Sequence, residues 1–339
     1  MEDSMNELLE SLPESERSVL QEYSPPAWIS PMLATLTHDY FSDDEWIYER
    51  KLDGERCLTF VKDNKVRLLS RNEKVLNESY PEIADIFQDA DDLIMDGEVV
   101  AFDGALTSFA TLQERMHITD AEKARESDVK VYYYVFDLLY FSGYDITRVS
   151  LTHRKSLLKQ VFSFEDPLRY VIHRVGDGVD YFRKACEKGW EGLIAKKKDT
   201  AYVQKRSTDW LKFKCVHQQE FVIGGYTDPQ GERVGFGALL IGYFDHDDLI
   251  YAGKVGTGFD EDTLHRLHEK MKSLEIEHPP FVTDDLPHSG VHWIHPELVA
   301  EIGFTEWTSS GKLRHPRYRG LRRDKAAHEV VREHPGGRT

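Results

Sequence analysis

The sequence predicts an α+β protein of two domains, in which a mixed α+β domain precedes a small β-barrel. Strand and helix patterns alternate up to about residue 216, and glycine-punctuated strand patterns replace them from residue 220 onward. A chain of 339 residues is long for one ordinary domain and sufficient for two. The predicted segments are a leader at 1–30, the mixed domain at 31–216, the barrel at 217–331 and a flexible tail at 332–339.

The mixed domain is predicted from short apolar runs and helical periodicity. The runs are rich in β-branched and aromatic residues and are bounded by turn formers, so we predict strands at 46–48, 57–61, 66–69, 93–95 and 131–136. Apolar residues at helical spacing predict helices at 108–116, 152–161 and 179–188. Residues 6–23 carry only a weak helical pattern before Pro25 and Pro26, which is why we assign them to a leader.

The second domain has the pattern of a five-stranded barrel of the OB type. Glycine-punctuated strands joined by polar turns are predicted at 221–226, 238–244, 249–255 and 299–308. A helix is predicted at 261–274, between the third and the fourth of these strands. The size and the number of strands suit an OB-type barrel.

Composition describes a globular protein with unevenly distributed charge. The net charge of −17 does not suggest nucleic acid, but basic residues concentrate at 196–198, 205–206, 212–214 and 314–325. One basic groove could hold DNA by its phosphates. No apolar run approaches the roughly 20 residues of a membrane helix, and the acidic N-terminus lacks a secretory signal. We therefore expect a cytoplasmic protein that does not bind membranes.

The three cysteines are scattered along the chain, at Cys57, Cys186 and Cys215. They contain no CxxC pair, which excludes a four-cysteine zinc site and argues against a disulfide framework. We expect all three to be buried structural thiols.

The segment Tyr-Glu-Arg-Lys-Leu-Asp-Gly-Glu-Arg at 48–56 carries the first chemical signal. A lysine attacks as a nucleophile only without its proton, and the flanking cations Arg50 and Arg56 favour the loss of that proton from Lys51. Asp53 could help to hold a metal ion, and the next glycine permits a tight turn. A charged surface turn is the alternative interpretation.

This segment resembles the covalent nucleotidyltransferases, which include ATP-dependent DNA ligases, RNA ligases and mRNA capping enzymes. In that superfamily the lysine of the motif receives the nucleotide, and an adenylation domain precedes an OB domain. The resemblance implies that Lys51 is catalytic, that ATP is the cofactor and that Mg²⁺ or Mn²⁺ is required. It also implies that Glu49 lies at the adenine and that Arg56 contacts the nucleotide.

Three further motifs follow in the order of the family. Leu-Ser-Arg-Asn resembles the element whose arginine, here Arg71, contacts phosphate. Met-Asp-Gly-Glu-Val-Val is predicted to form an acidic turn between apolar strands, and the resemblance assigns Glu98 to the ribose and to a metal ion. Val-Phe-Asp-Leu-Leu ends a strand with Phe136, which in the family stacks on the purine. Core packing is the ordinary role of such an aromatic residue.

The next two motifs supply carboxylate and lysine side chains. Trp-Glu-Gly-Leu-Ile-Ala-Lys contains Glu191, which the family uses for metal, and Mg²⁺ needs only one or two carboxylates. In Asp-Trp-Leu-Lys-Phe-Lys, strand alternation puts Lys212 and Lys214 on one face, toward the ATP phosphates. Arg206 is a further phosphate candidate. The predicted metal ligands are Glu191, Glu98 and Asp53.

The last motif, 313–325, lies in the predicted barrel. In DNA ligases its basic residues, here including Arg314 and Lys325, orient the β- and γ-phosphates as a leaving group. A disordered basic tail is the alternative. Six motifs in register cover nearly the whole chain, which favours an ATP-dependent DNA ligase.

Within the superfamily the chain resembles the ligase module of bacterial non-homologous end-joining ligases. The segments that carry this resemblance are 31–34, 109–115, 235–242, 252–259 and 293–296. We predict a minimal stand-alone ligase that seals 5′-phosphate and 3′-hydroxyl ends through lysyl-AMP and a DNA-adenylate. We expect a monomer that acts on nicked or broken double-stranded DNA near the nucleoid of a prokaryote, with Ku as a candidate partner. A capping-type or RNA-ligase nucleotidyltransferase and a catalytically silent DNA-end-binding adaptor are the alternatives.

Overall fold

The computed structural model describes residues 7–333 apart from 216, 230, 232 and 284. The chain divides into two compact units, the first ending at Cys215 and the second at Glu333. Leu9 and Leu12 are buried in the same apolar core as Val99, so this part of the predicted leader packs against the first unit. Most of the predicted tail, 334–339, lies outside the described residues.

Eight strands form the larger sheet of the first unit. They are β1 (Gln21–Glu22), β4 (Glu55–Lys62), β5 (Lys65–Ser70), β6 (Leu93–Asp103), β7 (Leu106–Thr107), β8 (Val131–Phe141), β9 (Tyr144–Asp145) and β10 (Leu168–Tyr170). Their order is β1-β9-β8-β6-β4-β5, while β10 pairs with β8 and β7 pairs with β6. Four predicted strands lie within β4, β5, β6 and β8, and these predictions are confirmed.

The predicted acidic turn around Glu98 is wrong, because Asp96, Gly97 and Glu98 lie inside the eleven-residue strand β6. The buried Asp96 carboxylate is ion-paired with Arg56 of the neighbouring strand, which makes an acidic residue tolerable there. Gly97 lies against the ring of Tyr133, where an added Cβ would come within 2.5 Å of the ring. Packing across the sheet therefore replaces the turn that the local sequence favours.

Five strands form the smaller sheet of the first unit. They are β2 (Leu33–Leu36), β3 (Trp46–Lys51), β11 (His173–Val175), β12 (Gly192–Lys197) and β13 (Arg206–Lys214), in the order β11-β3-β12-β13-β2. Side chains from both sheets form a shared core, in which Leu58 and Phe136 of the larger sheet join Trp210 of the smaller one. The site described below lies where these two sheets face each other.

Helices cover the outer faces of the two sheets. They are α1 (Glu14–Arg17), α2 (Pro81–Asp85), α3 (Phe109–Met116), α4 (Ala121–Arg125), α5 (Leu151–Val161) and α6 (Gly178–Glu187). Leu157 and Leu158 of α5 pack into the core of the larger sheet, and Ala185 of α6 packs into that of the smaller one. The three helices predicted for this domain are confirmed as α3, α5 and α6.

The second unit is built on a six-stranded antiparallel sheet. Its elements are β14 (His217–Thr227), β15 (Leu239–Asp245), β16 (Asp248–Val255), α7 (Glu261–Lys272), β17 (Glu275–Ile276), β18 (Val291–Phe304), β19 (Glu306–Trp307), β20 (Leu313–Arg314), β21 (Arg317–Arg322) and a 3₁₀ turn (Ala327–Glu329). The order is β16-β15-β14-β18-β17, with β21 on β18, and β19 pairs with β20. The four predicted strands and the helix are present, and β17 and β21, which both pair with β18, add strands to the predicted set.

The prediction of three buried thiols is wrong for two of the cysteines. Cys186 at the end of α6 and Cys215 after β13 form a disulfide, with their Cα atoms 5.2 Å apart. Their separation of 29 residues gave no local signal, and the packing of α6 beside β13 brings them together. Cys57 is a free buried thiol, and burial raises its pKa. No helix in the described ranges is long and apolar enough to cross a membrane.

Candidate active site

The register of the smaller sheet brings four predicted site residues onto one face. Lys51 of β3 and Lys214 of β13 both lie opposite Gly192 of the intervening strand. Glu49 and Lys212 likewise lie opposite one shared residue of β12. Directly opposed residues share a face, and residues two apart on a strand also share one. The candidate nucleophile therefore lies beside both predicted phosphate-binding lysines.

Lys51 and Glu191 form an ion pair at the end of β3. The Nζ atom lies 2.5 Å from Glu191 Oε1, with the lysine 21% exposed and the carboxylate 7% exposed. Gly192 follows with a φ of +152°, and a Cβ there would lie 1.8 Å from the carbonyl oxygen of Phe213. Only glycine permits this close approach of β12 to β13. Glycine at this position thus lets the backbone place Glu191 beside the nucleophile.

Arg50 lies on the opposite face of β3 from Lys51. Its guanidinium carbon stacks 4.6 Å from the centroid of the Trp190 ring, and its Nη2 lies 3.5 Å from Thr107 Oγ1. Burial lowers the pKa of Arg50. The expectation that Arg50 acts beside Lys51 is therefore wrong, because strand alternation points adjacent side chains in opposite directions.

Arg56 is anchored by a buried carboxylate between the sheets. Its Nε and Nη2 lie 2.5 Å from the two oxygens of Asp96, which also accepts a 2.6 Å hydrogen bond from Tyr202. Burial opposes the charge of Arg56, but Asp96 outweighs it and raises the pKa of the guanidinium. Glu98, the predicted ribose ligand, lies opposite Arg56 across the strand pair and opposite Tyr134 on the other side. Asp96 and Tyr202 were not predicted as site residues.

Phe136 forms one wall of an aromatic and cationic enclosure. Its ring meets that of Trp210 edge to face, with centroids 6.0 Å apart. Arg56 Cζ lies 4.7 Å from the Phe136 centroid, and Lys196 Nζ lies 4.2 Å from it and 4.0 Å from that of Trp210. Phe136 is thus next to other predicted site residues, and its stacking on a purine stays a prediction.

Glu49 is held by two buried lysines that the motif analysis did not assign. Lys155 Nζ lies 2.5 Å from Glu49 Oε1, and Lys196 Nζ lies 2.6 Å from Oε2. Burial opposes ionisation of Glu49, but the two ammonium groups prevail and lower its pKa. Lys196 ends the Glu191 motif in the sequence. Lys155 had a weaker sequence signal than Lys196, because it only stood out as a charged residue between Leu151 and Leu158 on the buried face of α5.

The three predicted metal ligands do not form one cluster. In the described part of the chain, no group of three His, Cys, Asp or Glu side chains is arranged to hold a metal ion. Asp53 Oδ2 instead accepts a hydrogen bond from the Phe109 amide, and the Asp53 amide donates to Thr107 Oγ1. Asp53 thereby ties the turn after β3 to the start of α3. Glu191 alone remains beside Lys51 as an oxygen ligand of the kind that Mg²⁺ prefers.

Two further predicted phosphate ligands lie outside this cluster of contacts. Arg206 begins β13, at the opposite end of the strand from Lys214, and its Nη1 donates to Ala34 O. Arg71 follows β5 in a turn in which the Ser70 amide donates to the Lys74 carbonyl. Their roles at the nucleotide stay predictions.

The basic motif of the second unit is ordered, contrary to the alternative of a disordered tail. β21 pairs with β18 in the main sheet. Arg314 Nη1 lies 2.5 Å from Glu306 Oε1, and Lys325 Nζ lies 3.2 Å from Glu220 Oε2. Each predicted phosphate ligand therefore already has a carboxylate partner within its own unit.

Comparison with known proteins finds matches to both units. A family model described as the ATP dependent DNA ligase domain matches 31–214, and one described as the ATP dependent DNA ligase C terminal region matches 232–325. The SPbeta prophage-derived DNA ligase-like protein LigB of Bacillus subtilis is 33% identical over 300 residues, covering 87% of this chain and 99% of LigB.

Longer relatives and a solved structure also match. The multifunctional non-homologous end joining protein LigD of Pseudomonas aeruginosa is 37% identical over 322 residues, covering 92% of this chain and 37% of LigD. The chain thus spans well under half of that relative. A structure of mycobacterial DNA ligase D complexed with ATP and MES is 34% identical with a TM-score of 0.65, covering 90% of this chain and 98% of that one. The chain therefore belongs to the ATP-dependent DNA ligase family, with an adenylation domain followed by an OB-fold domain.

Proposed function

We propose that this chain seals breaks in double-stranded DNA that present a 5′-phosphate and a 3′-hydroxyl, with Lys51 as the carrier of AMP. The observation that carries the proposal is the row formed by Lys51, Gly192 and Lys214, with Glu191 paired to the lysine. It combines a nucleophile, a carboxylate and a phosphate-binding cation at one strand end.

In the first step, Lys51 must lose its proton and its ion pair with Glu191 before Nζ can attack. A bond forms between Nζ and the α-phosphorus of ATP, the bond to the bridging oxygen breaks, and pyrophosphate leaves with that electron pair. Lys212 and Lys214 stabilise negative charge on the phosphates, since transfer reactions of this kind depend on positioning and on charge. A Mg²⁺ or Mn²⁺ ion held by Glu191 supplies further positive charge when bound.

In the second and third steps, AMP passes through DNA. An oxygen of the 5′-phosphate attacks the phosphorus of lysyl-AMP, and the electron pair of the broken P–N bond returns to Lys51. The 3′-hydroxyl oxygen then attacks the DNA phosphate, loses its proton and displaces AMP. The products are a sealed strand and AMP.

The enclosure around Phe136 suits adenine. The aromatic rings offer a stacking surface, Glu49 offers an acceptor and Lys196 a donor. The adenine edge has the complementary pair, with a donor at the 6-amino group and an acceptor at N1. Guanine has an acceptor and a donor at these positions, which disfavours a GTP-dependent capping reaction.

A role in end joining is the biological part of the proposal. It is supported by the similarity to LigD proteins, whose names include non-homologous end joining. Nicked or broken double-stranded DNA is then the substrate, in the cytoplasm at the nucleoid. Recruitment by Ku and a monomeric state are further parts of this proposal.

The test is incubation with labelled ATP and Mg²⁺, followed by sealing of a nicked duplex. Wild type is expected to acquire label from ATP and not from GTP, and to seal the nick. Lys51→Ala should acquire no label, and it should remain folded because this partly exposed lysine adds little to the core. A labelled Lys51→Ala variant would assign the nucleophile elsewhere. A wild-type chain that binds DNA ends without label or sealing would support the silent adaptor.

A further inference from the structure

The buried cluster of Glu49, Lys155 and Lys196 has one carboxylate for two ammonium groups. The three side chains are 3%, 1% and 2% exposed. Burying a charge is costly unless it is paired and hydrogen-bonded, so a cluster with excess positive charge needs a reason. The two lysines are bound very differently, and that difference indicates their roles.

Lys155 is fully engaged. Besides its ion pair with Glu49 Oε1, its ammonium group donates to the carbonyl oxygens of Val171 at 3.1 Å and Phe136 at 3.4 Å. It also lies 4.6 Å from the centroid of the Tyr170 ring. Burial opposes its charge, but Glu49 and Tyr170 outweigh that effect and raise its pKa. Lys155 is therefore a permanently charged and fixed partner.

Lys196 is held only loosely. Its Nζ lies 2.6 Å from Glu49 Oε2 but outside hydrogen-bond geometry, and no other acceptor among the described residues bonds to it. Burial lowers its pKa to about 8, and Lys155 adds to this effect. Glu49 Oε1 thus faces a lysine that two backbone carbonyl oxygens hold in place, whereas Oε2 faces a lysine that has no such anchor.

We propose that Lys155 is a positioning residue for nucleobase recognition, which holds Glu49 so that its second oxygen can accept a hydrogen bond from the 6-amino group of adenine. Lys155 contacts both sides of the proposed adenine site, because Glu49 belongs to the smaller sheet and Phe136 to the larger one. Lys155 thereby fixes the Glu49 carboxylate, which binds the edge of adenine, relative to the Phe136 ring, which stacks on the face of adenine. This inference rests on the proposed function and assigns Lys155 no contact with ATP itself.

The test compares ATP with purine riboside 5′-triphosphate, which is ATP without the 6-amino group. Formation of lysyl-nucleotide is measured for both over a range of concentrations. Wild type is expected to prefer ATP by about tenfold or more in kcat/KM, the scale of one hydrogen bond to a charged acceptor. Lys155→Met should abolish most of this preference, mainly through the KM for ATP, while Lys155→Arg should restore part of it.

A matched control separates positioning from stability. Arg115 is another buried cation bound to a carboxylate, with its Nη2 2.6 Å from Glu82 Oε2. Arg115→Met should lower the melting temperature and leave the preference for ATP unchanged. If Lys155→Met does not fold, Lys155→Gln serves, since its amide keeps a donor for the two carbonyl oxygens but has no charge. It should also lose most of the preference.

The outcomes distinguish the two proposals. A wild-type chain that acquires no nucleotide from ATP contradicts the proposed function. A wild-type chain that prefers ATP, together with Lys155 variants that keep this preference undiminished, overturns the role of Lys155 alone. Equal losses with ATP and with purine riboside triphosphate would likewise overturn it, because they indicate a purely structural lysine.

Discussion

The two basic segments, β13 of the first unit and β21 of the second, look alike in sequence and differ in their surroundings. Lys212 and Lys214 of β13 lie on the face of the sheet that carries Lys51. At the end of β21, Arg322 is bound by both oxygens of Asp324 at 2.9 and 2.8 Å and by Glu301 at 3.2 Å. Asp324 outweighs the effect of burial and raises the pKa of Arg322.

This difference shows that a run of basic residues in the sequence does not by itself indicate a positive electrostatic potential at that surface. Carboxylates that the fold places beside the basic residues decide how much charge is left for a ligand, as Glu220 does for Lys325 and Glu306 for Arg314. In the Glu49 cluster of the first unit the balance is reversed, because this one carboxylate faces two lysines. We therefore expect the cations of the first unit to contribute more to phosphate and nucleotide binding than those of the second.

The largest effect is expected from removing Lys212 and Lys214 together. The double alanine variant should lower both lysyl-AMP formation and the sealing of a pre-adenylated nick by on the order of 10²-fold or more, since each charge-assisted contact contributes about 1.5–3 kcal/mol. Sealing is measured at fixed salt. The double variant of the exposed Lys123 and Lys130 to alanine loses the same charge and should retain activity. Equal losses in both double variants would mean that only net charge matters.

The next effect concerns Phe136. Phe136→Ala should weaken the use of ATP by about 1–3 kcal/mol, the range for stacking of a base on an aromatic ring, whereas Phe136→Tyr and Phe136→Trp should retain more. Melting temperature and ATP affinity are measured for all three. If the three variants lose stability alike and the folded fraction keeps its affinity, Phe136 is a core residue only.

A smaller and step-specific effect is expected for the basic motif of the second unit. Truncation before Arg314 would remove β21 from the sheet, so side-chain substitution is the sharper experiment. Arg314→Ala with Lys325→Ala should slow lysyl-AMP formation by about tenfold, because these residues are proposed to act on the departing pyrophosphate. Sealing of a pre-adenylated nick should change less. Equal losses on both substrates would indicate that the motif binds DNA. The double variant Arg266→Ala with Lys272→Ala removes the same charge and serves as the control.

The smallest effect is a pH dependence of stability. Lys196 has a pKa of about 8 in the folded chain and an ordinary value of 10.5 when exposed. Between these values the unfolded chain binds more protons, so stability should rise with pH from about 8 to about 10.5, by on the order of 1–3 kcal/mol. Lys196→Met should lack this rise. Parallel stability curves for wild type and Lys196→Met between pH 8 and 10 would contradict the charge excess in the cluster.

Local sequence patterns were enough to locate the main helices and strands and to indicate the chemistry of adjacent residues. The motifs at 48–56 and 190–196 singled out Lys51 and Glu191, which the structure places side by side, and alternation in β13 put Lys212 and Lys214 on one face. Apolar periodicity located α3, α5 and α6. These inferences succeeded because they depend on interactions within one strand or one helix, whose periods are fixed by backbone geometry.

Which groups from distant parts of the chain meet depends on the tertiary structure. Asp96 is tolerated inside a strand because Arg56 of the neighbouring strand neutralises its charge. Asp53, which was predicted as a metal ligand, accepts a hydrogen bond from the start of α3. The disulfide between Cys186 and Cys215 has no local signal. Lys155 follows Glu49 by 106 positions in the sequence, and it reaches Glu49 because α5 packs against the larger sheet. Charge pairing and burial depend on separation in space, which sequence spacing does not encode.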